Sequence, residues 1–246
     1  MNDTMTQLAT LAIPFEKQLP TGSSRMCGAA ALCMVYRSLG IESRQQQLWE
    51  QIARPDRHGA RAARTHLLAA NALRHGLAAV CLEASHPWPV LQRCVAGQNR
   101  AILNPRVRSG SPLGHYTVLV AIDQNEAILH DPQLGPDRRL ARDELLALWR
   151  PAHDGSEVAG HVLVAIGPPE TGAASCGVCG AALPSAITCP KCRSEIPLRP
   201  GGVLGCASRS CPARLWKRLF CPYCDATVMA GQPPLETSSR CLPRGA

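Results

Sequence analysis

Three residues that lie far apart in the sequence could together make a thiol nucleophile. Cys27 opens a strongly helix-forming stretch, CGAAALCMVYRSL, from Cys27 to Leu39. A cysteine at a helix start has its thiolate favoured by outward-pointing N–H groups and the helix dipole. Gly28 and the alanines after it would let a substrate carbonyl approach, with the Cys27 N–H aimed at a developing oxyanion. His115 opens the first clear strand run, HYTVLVAI, and Asp131 follows the second, inside LHDPQLG. An imidazole to hold the proton taken from sulfur, and a carboxylate to fix its tautomer, are what a thiolate nucleophile requires. Each residue alone has a plainer reading. Cys27 could be a buried free thiol, as Cys33 is expected to be, His115 a structural histidine and Asp-Pro-x-x-Gly only a turn. His130 is the rival of Asp131's neighbourhood, but strand alternation sends it to the opposite face. His58, His66, His75, His153 and His161 carry no motif.

A second chemistry is metal binding. Of thirteen cysteines, eight fall between Cys176 and Cys224, a pattern that reads as ligands rather than disulfides. Cys176, Cys179, Cys189 and Cys192 give C-x2-C-x9-C-x2-C, and Cys206, Cys211, Cys221 and Cys224 give C-x4-C-x9-C-x2-C. Each tetrad can close a tetrahedral shell around one Zn2+ at Zn–S distances of about 2.3 Å, leaving no open position. The expectation is two structural zinc ions in knuckles resembling zinc ribbons, with Gly or Pro in CGVCG, CPKC and CPYC making the tight turns. Sequential sharing of the cysteines is simplest and crossed sharing is allowed; Cys241 is spare. Thiolate sites need reduced sulfur, which points to the cytoplasm. The segment PARLWKRLF, with Arg214, Trp216, Lys217, Arg218 and Phe220, suits either docking of a protein partner or packing of one ribbon on the next. Nucleic acid ranks third.

The elements that must position these groups follow from composition and pattern. The chain has 246 residues, 46% hydrophobic and 18% charged, a globular composition long enough for a sizeable core. No run of about 18 or more apolar residues suggests a membrane span, and the start lacks a basic segment followed by an apolar signal core. Residues 1–168 hold 17 Lys and Arg against 14 Asp and Glu, and residues 169–246 hold 9 against 4. Two ions each bound by four thiolates would bring the second part from +5 to about +1, so the net charge of +8 is a poor argument for nucleic-acid binding. The Pro-, Gly- and Ala-rich stretch GPPETGAAS at 167–175 places a boundary between a first domain at 1–168 and a second at 169–246. Within the first, helices are expected at Cys27 to Leu39 (ended by Gly40), through QQLWEQIA, at Thr65 to His75 (closed by Gly76), at 88–97 and at Arg142 to Trp149. Strands are expected at Arg100 to Asn104, HYTVLVAI, EAILH and HVLVAI at 161–166. Helices first and a mostly antiparallel sheet afterwards make the fold class α+β.

The combination Q-x8-CGAAALCMVYRSLG, GHYTVLVAID and ILHDPQLGPDRRLARDELLALW resembles the bacteriocin-processing branch of papain-like cysteine peptidases, which cleave after double-glycine leaders. The resemblance covers roughly residues 14–166. It implies a papain-like fold with Cys27 as nucleophile, His115 as general base and acid, and Asp131, sixteen residues later, as the orienting residue. It also implies an oxyanion-hole glutamine, for which Gln18 is the candidate although it lies nine residues before Cys27 where about six is usual. Met26 stands where the family often has aspartate, Asn104 precedes His115 and so does not fit the papain order, and no GxxxxGK[ST] loop accompanies the domain. The implied function is a cysteine peptidase acting on a peptide or protein, its ribbons docking a partner or substrate. The alternatives are an inactive scaffold that binds protein partners, or a cysteine-dependent deamidase or acyl-transfer enzyme.

Overall fold

The computed structural model describes residues 9–20, 26–55, 59–153, 157–171 and 174–229; His58 and Cys241 fall outside them. The first elements are β1 (Ala9–Thr10), α1 (Cys27–Ser38), α2 (Gln45–Ile52), β2 (Ala53–Pro55), β3 (Arg61–Ala63) and α3 (Thr65–Arg74). Then come β4 (Ala78–Ala84), α4 (Pro87–Ala96), β5 (Arg100–Leu103), β6 (Thr117–Ile122), β7 (Glu126–Asp131), β8 (Gly135–Ala141), α5 (Arg142–Leu148) and β9 (Val162–Gly167). The rest of the described chain carries β10 (Ala174–Ser175), β11 (Ala182–Leu183), β12 (Ala186–Thr188), β13 (Glu195–Pro197), α6 (Gly201–Leu204), β14 (Trp216–Phe220) and β15 (Thr227–Val228).

Helix α1 is buried from Cys27 to Tyr36 on every face, which its Gly, Ala and Cys content permits: small side chains let neighbours approach the backbone all round. It ends as expected, with Gly40 at φ 74° and N–H bonds from Gly40 to Arg37 O (3.1 Å) and Ile41 to Tyr36 O (2.9 Å), the left-handed cap glycine favours. Helices α2, α3 and α4 also match the expected positions. Trp149 caps the C-terminus of α5. Its side chain is wholly buried, with Nε1 donating to Val162 O at 3.1 Å.

One antiparallel sheet dominates, in the order β15-β14-β4-β9-β5-β6-β7-β8, with β1 added alongside β6. The central strands β4, β6 and β9 are buried throughout. The sheet does not end with residue 168. Strand β14, from the PARLWKRLF segment, pairs with β4 through Leu219↔Leu82 and Phe220↔Cys81. Trp216 and Leu219 are buried in the main core together with Leu198, Val203, Leu204 and Leu215, and burial of each large side chain contributes on the order of 2–3 kcal/mol. Glu83 on β4 receives Lys217 at 3.3 Å and also pairs with Arg218. Arg93 on α4 donates to Ala213 O at 2.9 Å. Of the two aromatics that a nucleic-acid reading of this segment needs, Trp216 is therefore packed inside and Phe220 is half-buried against the core, and two of its cations face a carboxylate.

Candidate active site

Cys27 sits at the first position of α1 and is 3% exposed. The missing side chain of Gly28 serves packing rather than substrate approach: a Cβ there would lie 2.9 Å from Ala63 Cβ and 3.1 Å from the Tyr116 ring. The absence of that one carbon lets α1 sit against β3 and the strand that follows His115. Tyr116 is in turn held by Thr65 at the start of α3, hydroxyl to hydroxyl at 2.8 Å.

His115 stands just before β6, its N–H bonded to Pro105 O at 2.9 Å, and both it and Asp131 at the end of β7 are buried. The ring Nε2 meets Asp131 Oδ1 at 2.7 Å, and the imidazole is also hydrogen-bonded to the Cys27 thiol. With Nε2 engaged by the carboxylate, Nδ1 is the ring nitrogen left to exchange a proton with the thiol. The sixteen-residue spacing is set by the β6–β7 hairpin, in which Val118 lies opposite His130. Burial alone would lower the His115 pKa, but the bonds to Asp131 and Cys27 outweigh it and raise it to about 9. A buried imidazole between a thiol and a carboxylate is thus favoured in its charged form.

Asp131 is both a turn residue and the partner of His115. Its Oδ1 also accepts the N–H groups of Gln133 (2.9 Å) and Leu134 (3.0 Å), so the turn chemistry of Asp-Pro-x-x-Gly aims the carboxylate. Burial opposes its ionisation, yet His115 and these N–H groups hold it below the usual carboxylate range. Arg138 on β8 reaches Oδ2 at 3.3 Å. Sequence reasoning passed over Arg138, although it lies within the string quoted for the resemblance. His130 points to the other face as strand alternation requires: Nε2 donates to Ile13 O at 2.9 Å and Nδ1 accepts the Asp137 N–H at 3.2 Å.

The backbone N–H of Gln18 donates to the carbonyl of Pro132 at 3.0 Å, the residue after Asp131. Its side-chain Oε1 is buried and has no hydrogen-bond partner. Asn104 lies against Gly114, where a Cβ would meet its Oδ1 at 2.4 Å, and makes no contact with His115 or Asp131 among the hydrogen bonds of either residue.

The eight ligand cysteines form two clusters whose sulfurs all lie within 4.8 Å of one another, Cys176, Cys179, Cys206, Cys211 and Cys189, Cys192, Cys221, Cys224. The simplest, sequential sharing is corrected to the crossed one. Strand β14, fixed in the main sheet, carries Cys221 and Cys224 to the Cys189 knuckle, and the loop before it leaves Cys206 and Cys211 beside Cys176. Four sulfur pairs stand 3.6 Å apart, close to the edge of about 3.8 Å that four 2.3 Å bonds to a tetrahedral ion require. Backbone N–H groups of Val178 and Ser208 point at Cys176 Sγ (3.4 Å) and Cys206 Sγ (3.3 Å). These sets could hold a metal ion each. The second also touches α3, where His66 meets Asp225 at 3.0 Å.

A buried helix opened by a thiol, packed on an antiparallel sheet that brings a histidine and an aspartate to it, defines a papain-like cysteine peptidase fold. Residues 10–156 match the Peptidase_C39 like family, and the chain belongs to that family. Similar solved structures include one from Bacillus anthracis described as a C39-like peptidase, 17% identical over 67% of this chain and 100% of that chain, TM-score 0.54. A double glycine motif protease from an AMS/PCAT transporter, in complex with the leader peptide, is 18% identical over 65% of this chain and 94% of that one, TM-score 0.46. The peptidase domain of Streptococcus ComA, a bi-functional ABC transporter involved in quorum sensing, is 19% identical over 62% and 98%, TM-score 0.46. No curated protein matches the chain in sequence. No helix among the described residues is long and apolar enough to cross a membrane.

Proposed function

We propose that this protein is a cysteine peptidase that cleaves a peptide or protein substrate through Cys27, His115 and Asp131, with Gln18 completing the oxyanion hole and two structural zinc ions in its C-terminal part. The observation that carries the reading is the hydrogen-bonded series from the Cys27 thiol, through one imidazole, to a buried carboxylate. His115 takes the thiol proton; the sulfur lone pair forms a bond to the scissile carbonyl carbon, and the carbonyl π pair moves to oxygen. The oxyanion is met by the Cys27 backbone N–H and the Gln18 side-chain amide. On collapse the C–N bond breaks, and the imidazolium gives its proton to the leaving amine. Water, deprotonated by His115, then attacks the thioester and releases the acid, and the proton returns to sulfur. Asp131 holds the ring tautomer and stabilises the imidazolium throughout.

The donor chemistry of four thiolates without an open position suits Zn2+ in a structural role, holding the knuckles in shape. A cytoplasmic location is part of this reading, since thiolate ligands need reduced sulfur. Partner docking by the ribbons is supported by a hollow of about 500 Å³ whose lining includes His86, Arg209, Pro212, Arg214 and Met229, a basic and partly apolar surface suited to an acidic protein segment. The family resemblance makes a peptide with Gly-Gly ahead of the scissile bond the first substrate to try.

The test is alkylation of Cys27 in the full chain by iodoacetamide at pH 6.5, followed by peptide mass spectrometry. An ordinary thiol of pKa about 8.5 is only about 1% thiolate there. Cys27 is expected to react at least about tenfold faster than in His115→Ala, and Cys27→Ala to abolish cleavage. Equal labelling with and without the imidazole would remove the basis of the proposal.

A further inference from the structure

Gln45, the first residue of α2, is buried and does nothing for its own helix: α2 has no side-chain cap, and its N-cap is Arg44. Its whole amide is turned instead onto residues 16–19. Nε2 donates to Glu16 Oε1 at 2.7 Å and to Lys17 O at 2.8 Å, and Oε1 accepts the Leu19 N–H at 3.0 Å. Residues 11–20 belong to no helix or strand, so no ladder sets their course. The Gln45 bonds to the Lys17 carbonyl and the Leu19 N–H bracket Gln18 on both sides. Between them the Gln18 N–H is tied to Pro132 O at 3.0 Å, directly after the aspartate that holds His115. Glu16, gripped by Gln45, is also ion-paired with Arg37 on α1, the helix that begins at Cys27. The strip carrying Gln18 is therefore fastened to the His–Asp side of the site and to the helix of the nucleophile. The buried Gln18 Oε1 has no partner of its own. Nothing in its side chain, among the described contacts, competes with the backbone in fixing where it stands.

We infer that Gln45 is a positioning residue: by clamping the backbone on either side of Gln18 it holds that amide where a developing oxyanion would form. The inference rests on the reading of Gln18 as an oxyanion donor. A donor displaced by about 1 Å loses most of its catalytic effect, and on a strip without a strand ladder the two Gln45 bonds are the ones that fix the backbone on both sides of Gln18.

The experiment compares two reactions of the same sulfur in the full chain. In acylation by 4-nitrophenyl acetate, the thiolate bonds to the carbonyl carbon, an oxyanion forms, and 4-nitrophenolate leaves. In alkylation by iodoacetamide, the thiolate displaces iodide from a saturated carbon and no oxyanion arises. Cys27→Ala supplies the background from other cysteines. Gln45→Leu keeps the bulk and removes all three bonds. It is expected to slow acylation by about 10- to 100-fold, reaching at most the lower edge of the about 10²- to 10³-fold cost of deleting an oxyanion donor outright, with alkylation changed by less than about threefold. Gln45→Asn, which stays polar but is one methylene shorter, should give the same selective loss and serves if the leucine variant does not fold. Gln18→Ala should slow acylation at least as much, and adding Gln45→Leu to it should cost nothing further. Equal slowing of both reactions in the Gln45 variants would mean a merely structural role and overturn the inference. So would normal acylation in those variants when Gln18→Ala is slow. Normal acylation in Gln18→Ala would instead overturn the reading of Gln18 itself, and the positioning role with it.

Discussion

At the scale of single residues, the site is governed by what each charge has beside it. The His115 pKa is raised to about 9 from an ordinary value of 6.5, so the native state keeps a proton that the unfolded chain releases. The stability this contributes is fully present below about pH 6.5 and is lost as pH rises through about 9. Asp131 is lowered, so its contribution is present above the ordinary carboxylate pKa of about 3.9 and is lost on acidification through its native value. Thermal melts across pH should therefore weaken at both ends, and His115→Ala should flatten the alkaline limb; an unchanged limb would contradict the assigned charge. Asp131→Asn should lower turnover by about 10²- to 10⁴-fold through loss of tautomer control, measured as kcat on a cleavable peptide. Cys27, His115 and Asp131 were legible in the sequence because chemistry-bearing residue types sit at element boundaries with a hairpin-set spacing. The contacts of Gln45 and Arg138 were not, because these hydrogen bonds join segments that no local pattern connects.

At the scale of elements, the approach of α1 to its neighbours is what brings sulfur to imidazole. Gly28→Ala would gain up to about 1 kcal/mol of helix propensity. It would also force a methyl to 2.9 Å from Ala63 Cβ, a carbon fixed to the β3 backbone, and overpacking of this kind costs about 1–3 kcal/mol. The net expectation is a lower Tm together with slower Cys27 alkylation as α1 is pushed off Tyr116, and Ala63→Gly should recover part of both. Helices α1 to α4 and strands β5, β6, β7 and β9 were readable from small-residue helix formers, cap glycines and β-branched runs. Strand β4, AAVCLEA, was hidden by its alanines, which favour helix in isolation and are overruled by its two flanking strands. Strand β8, GPDRRLA, has no apolar alternation because it is a largely exposed edge that, among the described residues, pairs with β7 alone. Strand β14 was obscured by the cysteines around it, which drew its cations and aromatics into a ribbon reading.

At the scale of the whole molecule, the part that carries the cysteine clusters and the part that matches the peptidase family share one sheet and one core. Elemental analysis should find two zinc ions per chain. Because β14 is a strand of the sheet and runs directly into Cys221, chelation should lower the Tm of the entire chain in a single transition, by about 10 °C or more, as expected where bound metal is folding free energy. Two separated transitions, with Cys27 alkylation unaffected by chelator, would mean that the parts fold independently. The crossed sharing of ligands was not readable, since the spacings within each pair are the same whichever ion they serve.

The two flanks of the sheet are guarded differently. On one side β8 carries Asp137, Arg138 and Arg139, charges that discourage a neighbour from zipping on. On the other, β4 has a single acid, Glu83, along seven otherwise uncharged residues, and among the described residues the edge turned away from β9 is covered by β14. A chain that has shed its metal and let β14 go presents a row of bare amides and carbonyls to the next copy of itself, so metal starvation would be felt first as clumping, measurable by light scattering.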